Sequence, residues 1–178
     1  MPERQPQRFL TTVLFTDIVG STEVAAELGD RGWRELVQEH HRIVRAALRR
    51  HGGREMDTAG DGFFAVFDAP AEAAICALDA IEAVRALGIE IRAGLHVGEV
   101  EQMGAKVGGI TVPTAARIMA SAGGSELLVS NTVRDLAAGS GLHFEDRGER
   151  ALKGVPGQWR LYAVTRAGDQ AGATSAAE

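Results

Sequence analysis

Two aspartates, Asp17 and Asp61, have the type and setting of a carboxylate pair. Asp17 follows an apolar, β-branched segment, and Asp61 lies in a Gly-Asp-Gly turn between two short apolar segments. Like charges brought together in a partly dry site are costly unless a cation lies between them. Carboxylate oxygens with no His or Cys nearby suit Mg²⁺ or Mn²⁺, and two such ions can activate an attacking oxygen and hold a leaving phosphate. The pair therefore predicts metal-dependent phosphoryl chemistry if the fold brings the two residues together.

Each aspartate also has a purely structural interpretation. Gly-Asp-Gly makes a tight hairpin turn without any metal, and Asp17 would then cap the helix that begins near Ser21. The surroundings favour the metal-phosphate interpretation. Small residues on both sides of Asp61 let a polyphosphate approach the backbone, and segment 18–22 would present backbone N–H groups to phosphate at a helix start.

The order of predicted elements decides whether the two aspartates meet. The elements are a buried strand 9–18, a helix beginning at Ser21, strands 54–58 and 63–67 joined by a hairpin, a helix beginning at Pro70, and a half-buried strand 89–97. This βαββαβ order predicts an α+β, ferredoxin-like (split βαβ) core, in which the crossover makes the first two strands parallel. If the third strand lies between them, the end of the first strand sits beside the start of the third. Asp17 and Asp61 are therefore expected at one sheet edge.

Extra α/β elements follow this core toward the C-terminus. They are a helix 110–122, a strand 126–129, a helix 131–138, and β-like segments near Phe144 and at 159–164. One domain is expected over residues 9–165 of the 178. Residues 1–8 read as a flexible N-terminus. The aperiodic segment 166–178 reads as a linker, so an attached regulatory domain is expected after residue 178.

Composition excludes several classes of protein. Lys and Arg number 19 against 24 Asp and Glu, a net charge of −5, which disfavours non-specific nucleic-acid binding. The single cysteine, Cys76, excludes an internal disulfide and a cysteine metal cage, and it fits a reducing cytoplasm. No apolar run approaches the roughly 18–20 residues of a membrane span. The chain is therefore expected to be a cytoplasmic domain that binds neither membrane nor nucleic acid.

Three blocks of the sequence resemble the class III nucleotidyl cyclase catalytic domain. They are FTDIVGST at 15–22, GDGF at 60–63 and AAR at 115–117. Segments 141–148 (GLHFEDRG) and 152–155 (LKGV) are also similar to bacterial members of this family. The resemblance covers roughly residues 9–165. It implies a reaction in which the 3′-hydroxyl of a nucleoside triphosphate attacks its own α-phosphate and pyrophosphate leaves.

The resemblance also implies roles for individual residues. Asp17 and Asp61, with the backbone carbonyl of Ile18, would hold two Mg²⁺ or Mn²⁺ ions per site. Arg117 would neutralise the charge that grows on the α-phosphate, and Lys153 would contact the triphosphate. Both basic residues have simpler alternatives, a surface salt bridge for Arg117 and an exposed lysine before a turn glycine for Lys153. Family members share each active site between two subunits, so the implied partner is a second copy in a two-fold homodimer.

The residues expected to bind the base depart from the family pattern. Adenylate-forming members have a lysine in the slot of Asp57 and an aspartate or threonine in the slot of Lys106, so the two charges are exchanged here. Guanylate-forming relatives carry an acid in the slot of Asp57, which suits guanine N1 and N2, with Lys106 reaching O6. Alternatively Asp57 and Lys106 pair only with each other. Family frequency favours ATP, and the acid at residue 57 favours GTP.

A third departure affects the rate. The family places a ribose-orienting asparagine four residues before its arginine, and this chain has Pro113 there. Proline offers no side-chain amide and no backbone N–H, and loss of one well-placed donor typically costs about 10²–10³ in rate. Thr111 or Thr114 are candidates to replace the amide in part. Pro113 falls near the start of the predicted helix, where proline is tolerated.

The expected function is therefore that of a purine nucleotidyl cyclase of low or conditional activity, with ATP as the expected substrate. Two alternatives stay open, guanylate cyclase activity and a catalytically impaired module that binds nucleotide and dimerises in signalling. Another phosphoryl transferase with a palm-like core, such as a polymerase or dinucleotide cyclase, would also carry paired aspartates, but the 15–22 block argues against it.

Overall fold

A computed structural model describes residues 5–169 of the 178-residue chain. The parts of the expected N-terminal segment and linker-like tail at 1–4 and 170–178 lie outside these residues. The described strands are β1 (Gln7–Ile18), β2 (Arg54–Ala59), β3 (Gly62–Phe67), β4 (Ile91–Met103), β5 (Lys106–Gly108), β6 (Leu127–Ser130), β7 (Leu142–Leu152) and β8 (Val155–Arg166). The helices are α1 (Ser21–Arg50), α2 (Pro70–Val84), α3 (Thr111–Ala120) and α4 (Asn131–Leu136), with a short 3₁₀ turn at Arg85–Leu87.

The strands form one mixed sheet that contains the expected core. Its order is β2-β3-β1-β4-β6-β8-β7, and β5 pairs with β4. Strand β3 lies between β2 and β1 and runs antiparallel to both, while β4 flanks β1 on the other side. The α+β, ferredoxin-like prediction is confirmed. The later elements extend the same sheet through β6, which is parallel to β4.

The helices cover the two faces of the sheet unequally. Helices α1 and α2 pack on the face that carries Leu14 and Leu95, where the largest apolar cluster lies. Helix α3 packs on the opposite face through Ala115. It comes so close to β4 that a Cβ on Gly94 would lie 2.3 Å from the backbone nitrogen of Met119. This close approach explains why the strand carries glycine at that position.

Several boundaries differ from those predicted. Strand β1 begins at Gln7 rather than residue 9, because Gln7 and Arg8 continue the backbone ladder with Gln102 and Glu101 of β4. Strand β4 continues to Met103, well past the predicted end at 97, and makes a hairpin with β5. Val100 is the single fully buried side chain of these added segments, so they show no apolar alternation for the sequence to reveal.

Two further differences concern α1 and the C-terminal hairpin. The helix predicted to begin at Ser21 is interrupted at Gly29, which has φ 72° and ψ 174°, a conformation that favours glycine. The isolated β-like segments predicted near the C-terminus are instead one long hairpin, β7 with β8. No helix among residues 5–169 is long and apolar enough to cross a membrane.

Candidate active site

The end of β1 and the β2–β3 turn meet at one edge of the sheet. Thr16 pairs with Phe63, which places Asp17 and Asp61 just beyond the last residue pair of β1 and β3. The backbone N–H of Ile18 donates a hydrogen bond to Oδ2 of Asp61 at 3.2 Å. Both aspartates line one cavity of about 400 Å³. The topology thus brings the two carboxylates together from positions 44 residues apart in the sequence.

The chemistry of this cavity fits a hard divalent cation. The Asp17 and Asp61 carboxylates that line it are half-buried, and carboxylate oxygens are what Mg²⁺ and Mn²⁺ prefer. Within residues 5–169 no group of three or more His, Cys, Asp or Glu side chains is placed to hold a metal ion. A site with so few protein ligands suits Mg²⁺, which usually keeps one or two carboxylates and completes its shell with water and substrate phosphates.

Arg92 is a site residue that sequence reasoning missed. It lies directly opposite Asp17 in the β1–β4 ladder, and its Nη2 donates to Oδ2 of Asp17 at 3.1 Å. Its Nη1 donates to the carbonyl oxygen of Ala120 at 3.1 Å, while Nε is buried and has no partner among the described residues. The guanidinium therefore supplies a positive charge at the carboxylate pair. The antiparallel register of the first and fourth strands was the signal that could have found it.

A second cavity adjoins the carboxylates at the start of α1. It measures about 340 Å³ and is lined by Asp17, segment 18–23, Arg92 and segment 122–124. Helix α1 begins at Ser21, and no side chain caps it. The first backbone N–H groups of a helix lack partners within the helix and carry partial positive charge. Together with Arg92 they make this cavity suitable for an anion such as phosphate.

The two residues expected to contact the base lie close together in space. Asp57 and Lys106 line a common cavity of about 380 Å³. Asp57 also lines the carboxylate cavity, next to Phe64, which stacks on Phe15 with ring centroids 4.8 Å apart. Among the described side chains Asp57 and Lys106 form no ion pair with each other. The geometry leaves both free to contact a ligand and does not support the alternative in which they only neutralise each other.

Pro113 lies exposed in the first turn of α3, between Thr111 and Thr114. The hydroxyl of Thr111 donates to the carbonyl oxygen of Glu99 at 2.6 Å, and that of Thr114 donates to the carbonyl oxygen of Ile110 at 2.7 Å. Both threonines are buried. Each hydroxyl hydrogen is thus already used in a bond to a backbone carbonyl, and this does not support the suggestion that either threonine substitutes for the side-chain amide.

Arg117 and Lys153 lie apart from the carboxylates of their own chain. Arg117 is exposed on α3, one turn after Pro113, and lines neither cavity that contains Asp17. Lys153 is exposed in the β7–β8 turn, whose flanking residues pack in the same apolar cluster as Ile118 of α3. In the part of the chain that the structure covers, neither basic residue forms an ion pair. The structure thus groups them near α3 and does not support the surface salt bridge for Arg117.

Comparison with known proteins places these features in a family. Residues 5–166 match the description "Adenylate and Guanylate cyclase catalytic domain". The chain is 30% identical over 158 residues to an uncharacterized protein of Mycobacterium tuberculosis, a match that covers 86% of this chain and 55% of that protein. This chain therefore spans about half the length of the curated relatives it matches.

Solved structures share the fold. The adenylyl cyclase CyaB from Pseudomonas aeruginosa superposes with a TM-score of 0.83 at 22% identity, covering 90% of this chain and 96% of that one. A non-canonical dimeric guanylyl cyclase domain of the RhoGC fusion protein from Blastocladiella emersonii superposes with a TM-score of 0.81 at 20% identity, covering 90% and 98%. At these identities the likeness concerns the fold alone.

Proposed function

The chain belongs to the family of adenylate and guanylate cyclase catalytic domains, and we propose that it converts a purine nucleoside triphosphate, with ATP as the expected substrate, into the 3′,5′-cyclic nucleotide and pyrophosphate. The observation that carries this proposal is the adjoining pair of cavities. One holds the two carboxylates, and the other combines the start of α1 with Arg92. A triphosphate and its counter-ions need both kinds of surface side by side.

Asp17 and Asp61, with the Ile18 carbonyl, are the residues proposed to hold two Mg²⁺ or Mn²⁺ ions. When bound, such ions supply charge stabilisation at the reacting phosphate and lower the pKa of the attacking hydroxyl. In the chain itself, the Ile18 N–H bond to Asp61 and the Arg92 bond to Asp17 fix the carboxylates before any ligand arrives. Fixed ligands lose less conformational entropy on binding.

The start of α1 and Arg92 are proposed to receive the phosphates. The unpaired N–H groups of the first helical turn and the guanidinium fork both donate to phosphate oxygens. Arg92 can leave Asp17 for a phosphate without leaving that carboxylate unpaired, provided a cation takes its place. In the reaction the 3′-hydroxyl gives up its proton to water and its oxygen forms a bond to the α-phosphorus. The bond from that phosphorus to the bridging oxygen breaks, and pyrophosphate leaves with the electron pair of that bond.

Asp57 and Lys106 are proposed to contact the base. The carboxylate accepts hydrogen bonds, and the ammonium donates them. Adenine N1 accepts and N6 donates, whereas guanine O6 accepts and N1 and N2 donate. A donor and an acceptor in one cavity can serve either purine, so ATP is the expected substrate by family frequency and GTP is the alternative favoured by the acid at residue 57.

The partner proposed for the site is a second copy of the chain. Arg117 and Lys153 lie outside the cavities that contain Asp17. In a two-fold dimer they would complete the partner's site, and each dimer would hold two equivalent sites. Arg117 would neutralise the charge growing on the α-phosphate, and Lys153 would contact the triphosphate.

Turnover is the direct test. Purified protein with Mn²⁺ and ATP or GTP is expected to release cyclic nucleotide slowly, since Pro113 lacks the side-chain amide of the family's ribose-orienting asparagine. The Asp17→Ala variant serves as the background. Product above that background supports the proposal, and product equal to it with both nucleotides rejects catalysis.

A second candidate function follows from the same α3 observations. Pro113 has no side-chain amide, and the hydroxyls of Thr111 and Thr114 donate hydrogen bonds to backbone carbonyls. A chain that keeps the carboxylates and the phosphate cavity but lacks this donor would bind triphosphate and dimerise without turning it over. Calorimetry that shows tight triphosphate binding by a protein with no turnover would select this function.

A further inference from the structure

One side chain outside the carboxylate cavity holds the turn that carries Asp61. Nε2 of His41, on α1, lies 2.8 Å from the carbonyl oxygen of Gly60. A carbonyl oxygen only accepts, so Nε2 must carry a hydrogen and donate it. Gly60 has φ 60° and immediately precedes Asp61. The hydrogen bond therefore ties a tight turn in the left-handed region to a helix.

The same imidazole also contacts the chain on the other side of Asp61. Its ring meets the ring of Phe63 edge-on, with centroids 5.3 Å apart. Phe63 is buried in the main core. The segment from Gly60 to Phe63 is thus held at both ends by one residue, and Asp61 lies between the two contacts.

A second residue one helical turn away anchors the strand that leads into the turn. Arg45 donates two hydrogen bonds to Glu55, both at 2.9 Å, and Glu55 in turn accepts from the hydroxyl of Thr58. Residues four apart share a helix face. His41 and Arg45 therefore lie on one face of α1, which is hydrogen-bonded to β2 and to the β2–β3 turn.

The neighbouring histidine does not share this role. His40 is fully buried, and neither of its ring nitrogens has a partner in the described part of the chain. Burial, with a smaller contribution from His41, lowers the pKa of His40 to about 4. His40 is therefore a neutral packing residue at neutral pH, and the contact with the turn belongs to His41 alone.

We propose that His41 is a positioning residue for Asp61: by donating to the Gly60 carbonyl it holds the turn in the conformation in which the Asp61 carboxylate binds a divalent cation. This inference rests on the proposed function. Without the bond the turn must be ordered when the cation binds, and that conformational cost weakens binding. A hydrogen bond of net strength about 0.5–1.5 kcal/mol corresponds to a roughly two- to tenfold change in affinity.

Two variants separate the hydrogen bond from ring packing. His41→Phe keeps an aromatic ring against Phe63 and removes the donor, whereas His41→Gln keeps a donor at a similar reach and removes the ring. Binding of Mn²⁺ is followed by loss of the free-ion electron paramagnetic resonance signal, and the Mn²⁺ dependence of turnover is measured in parallel. His41→Phe is expected to weaken Mn²⁺ binding about two- to tenfold and to raise the Mn²⁺ concentration for half-maximal rate similarly, with little change at saturating Mn²⁺. His41→Gln is expected to stay near wild type.

Arg42→Ala is the matched control, because Arg42 is the next residue, is exposed and pairs only with Glu39 among the described residues. It should bind Mn²⁺ like wild type. The reverse order, with His41→Gln weakened and His41→Phe unchanged, would show a packing role and overturn the proposal. If His41→Phe does not fold, His41→Leu takes its place as the variant without a donor. Weakened Mn²⁺ binding by His41→Leu with His41→Gln near wild type then supports the proposal, and wild-type binding by His41→Leu or weakened binding by His41→Gln overturns it.

The Asp17→Ala variant distinguishes failure of the His41 positioning role from failure of the proposed cation site. If wild type binds Mn²⁺ no better than Asp17→Ala, the carboxylate site itself fails. If wild-type binding depends on Asp17 and both His41 variants match wild type, the site stands and only the positioning role is rejected.

Discussion

Replacing Asp61 with asparagine is expected to lower cyclic nucleotide formation by about 10³-fold or more, with no change of fold. The substitution keeps the size of the side chain and an oxygen that can still accept the Ile18 N–H bond. It removes the negative charge that a divalent cation needs. Loss of about 4 kcal/mol of charge stabilisation at the reacting phosphate corresponds to about a thousandfold in rate. The measurement is the initial rate at saturating Mn²⁺ and nucleotide.

Asp68→Asn is the matched control for this prediction. Asp68 follows β3, is exposed and lines neither cavity that contains Asp17. It loses the same charge from the same part of the chain and should leave the rate within about twofold of wild type, because the charge is distant from the chemistry. Turnover by Asp61→Asn similar to that of Asp68→Asn would mean that Asp61 is only a turn residue.

Replacing Arg117 with alanine is expected to lower turnover by about 10²-fold or more, because a positive charge aimed at the developing phosphate charge is lost. Arg117 lies outside both cavities that contain Asp17 and forms no ion pair among the described residues, so stability should change little. The site it serves is proposed to belong to the partner subunit. That proposal leads to a sharper expectation than the loss of rate alone.

Mixing the two inactive variants should restore activity. A heterodimer of Asp61→Asn with Arg117→Ala has one site in which both residues are intact and one in which both are lost. Random exchange of subunits makes half of the dimers mixed, so about a quarter of the wild-type rate is expected. If the mixture stays as inactive as its components although subunits exchange, Arg117 acts within its own chain or not at all.

Much of the fold was predictable because the core has strong local signals. Apolar segment 9–18 and the hairpin around Asp61 each have a clear pattern, and the βαββαβ order leaves few topologies once crossover handedness is applied. The position of the Asp17–Asp61 pair follows from that order once the third strand lies between the first two. The handedness of the crossover and the connectivity of the strands therefore predict that the motifs of Asp17 and Asp61 form one site.

The rest of the site depends on register, which local patterns do not contain. Arg92 stands on a strand whose alternation was recognised, but its place opposite Asp17 requires the pairing of β1 with β4. The commitment of Thr111 to Glu99 depends on how α3 rests on β4. His41 reaches Gly60 only because α1 lies beside the hairpin. Each of these contacts joins residues that are distant in sequence.

The extended hairpins were missed for a different reason. Strand β4 beyond residue 97 and the ends of β7 and β8 are rich in charged and exposed residues. Their pairing is held by backbone hydrogen bonds and by ion pairs such as that between Arg160 and Asp146. Neither leaves a hydrophobic period in the sequence. Strand segments with so few buried side chains show no periodic burial from which they could be predicted.

We propose that Asp17 and Asp61 together bind divalent cations that hold a triphosphate. A crystal of the chain grown with Mn²⁺ and a non-hydrolysable ATP analogue tests it, because anomalous scattering locates manganese independently of the protein. Two anomalous peaks are expected in contact with the oxygens of both carboxylates and with the phosphates, and the phosphates are expected beside the start of α1. Bound nucleotide whose manganese touches neither carboxylate would contradict it.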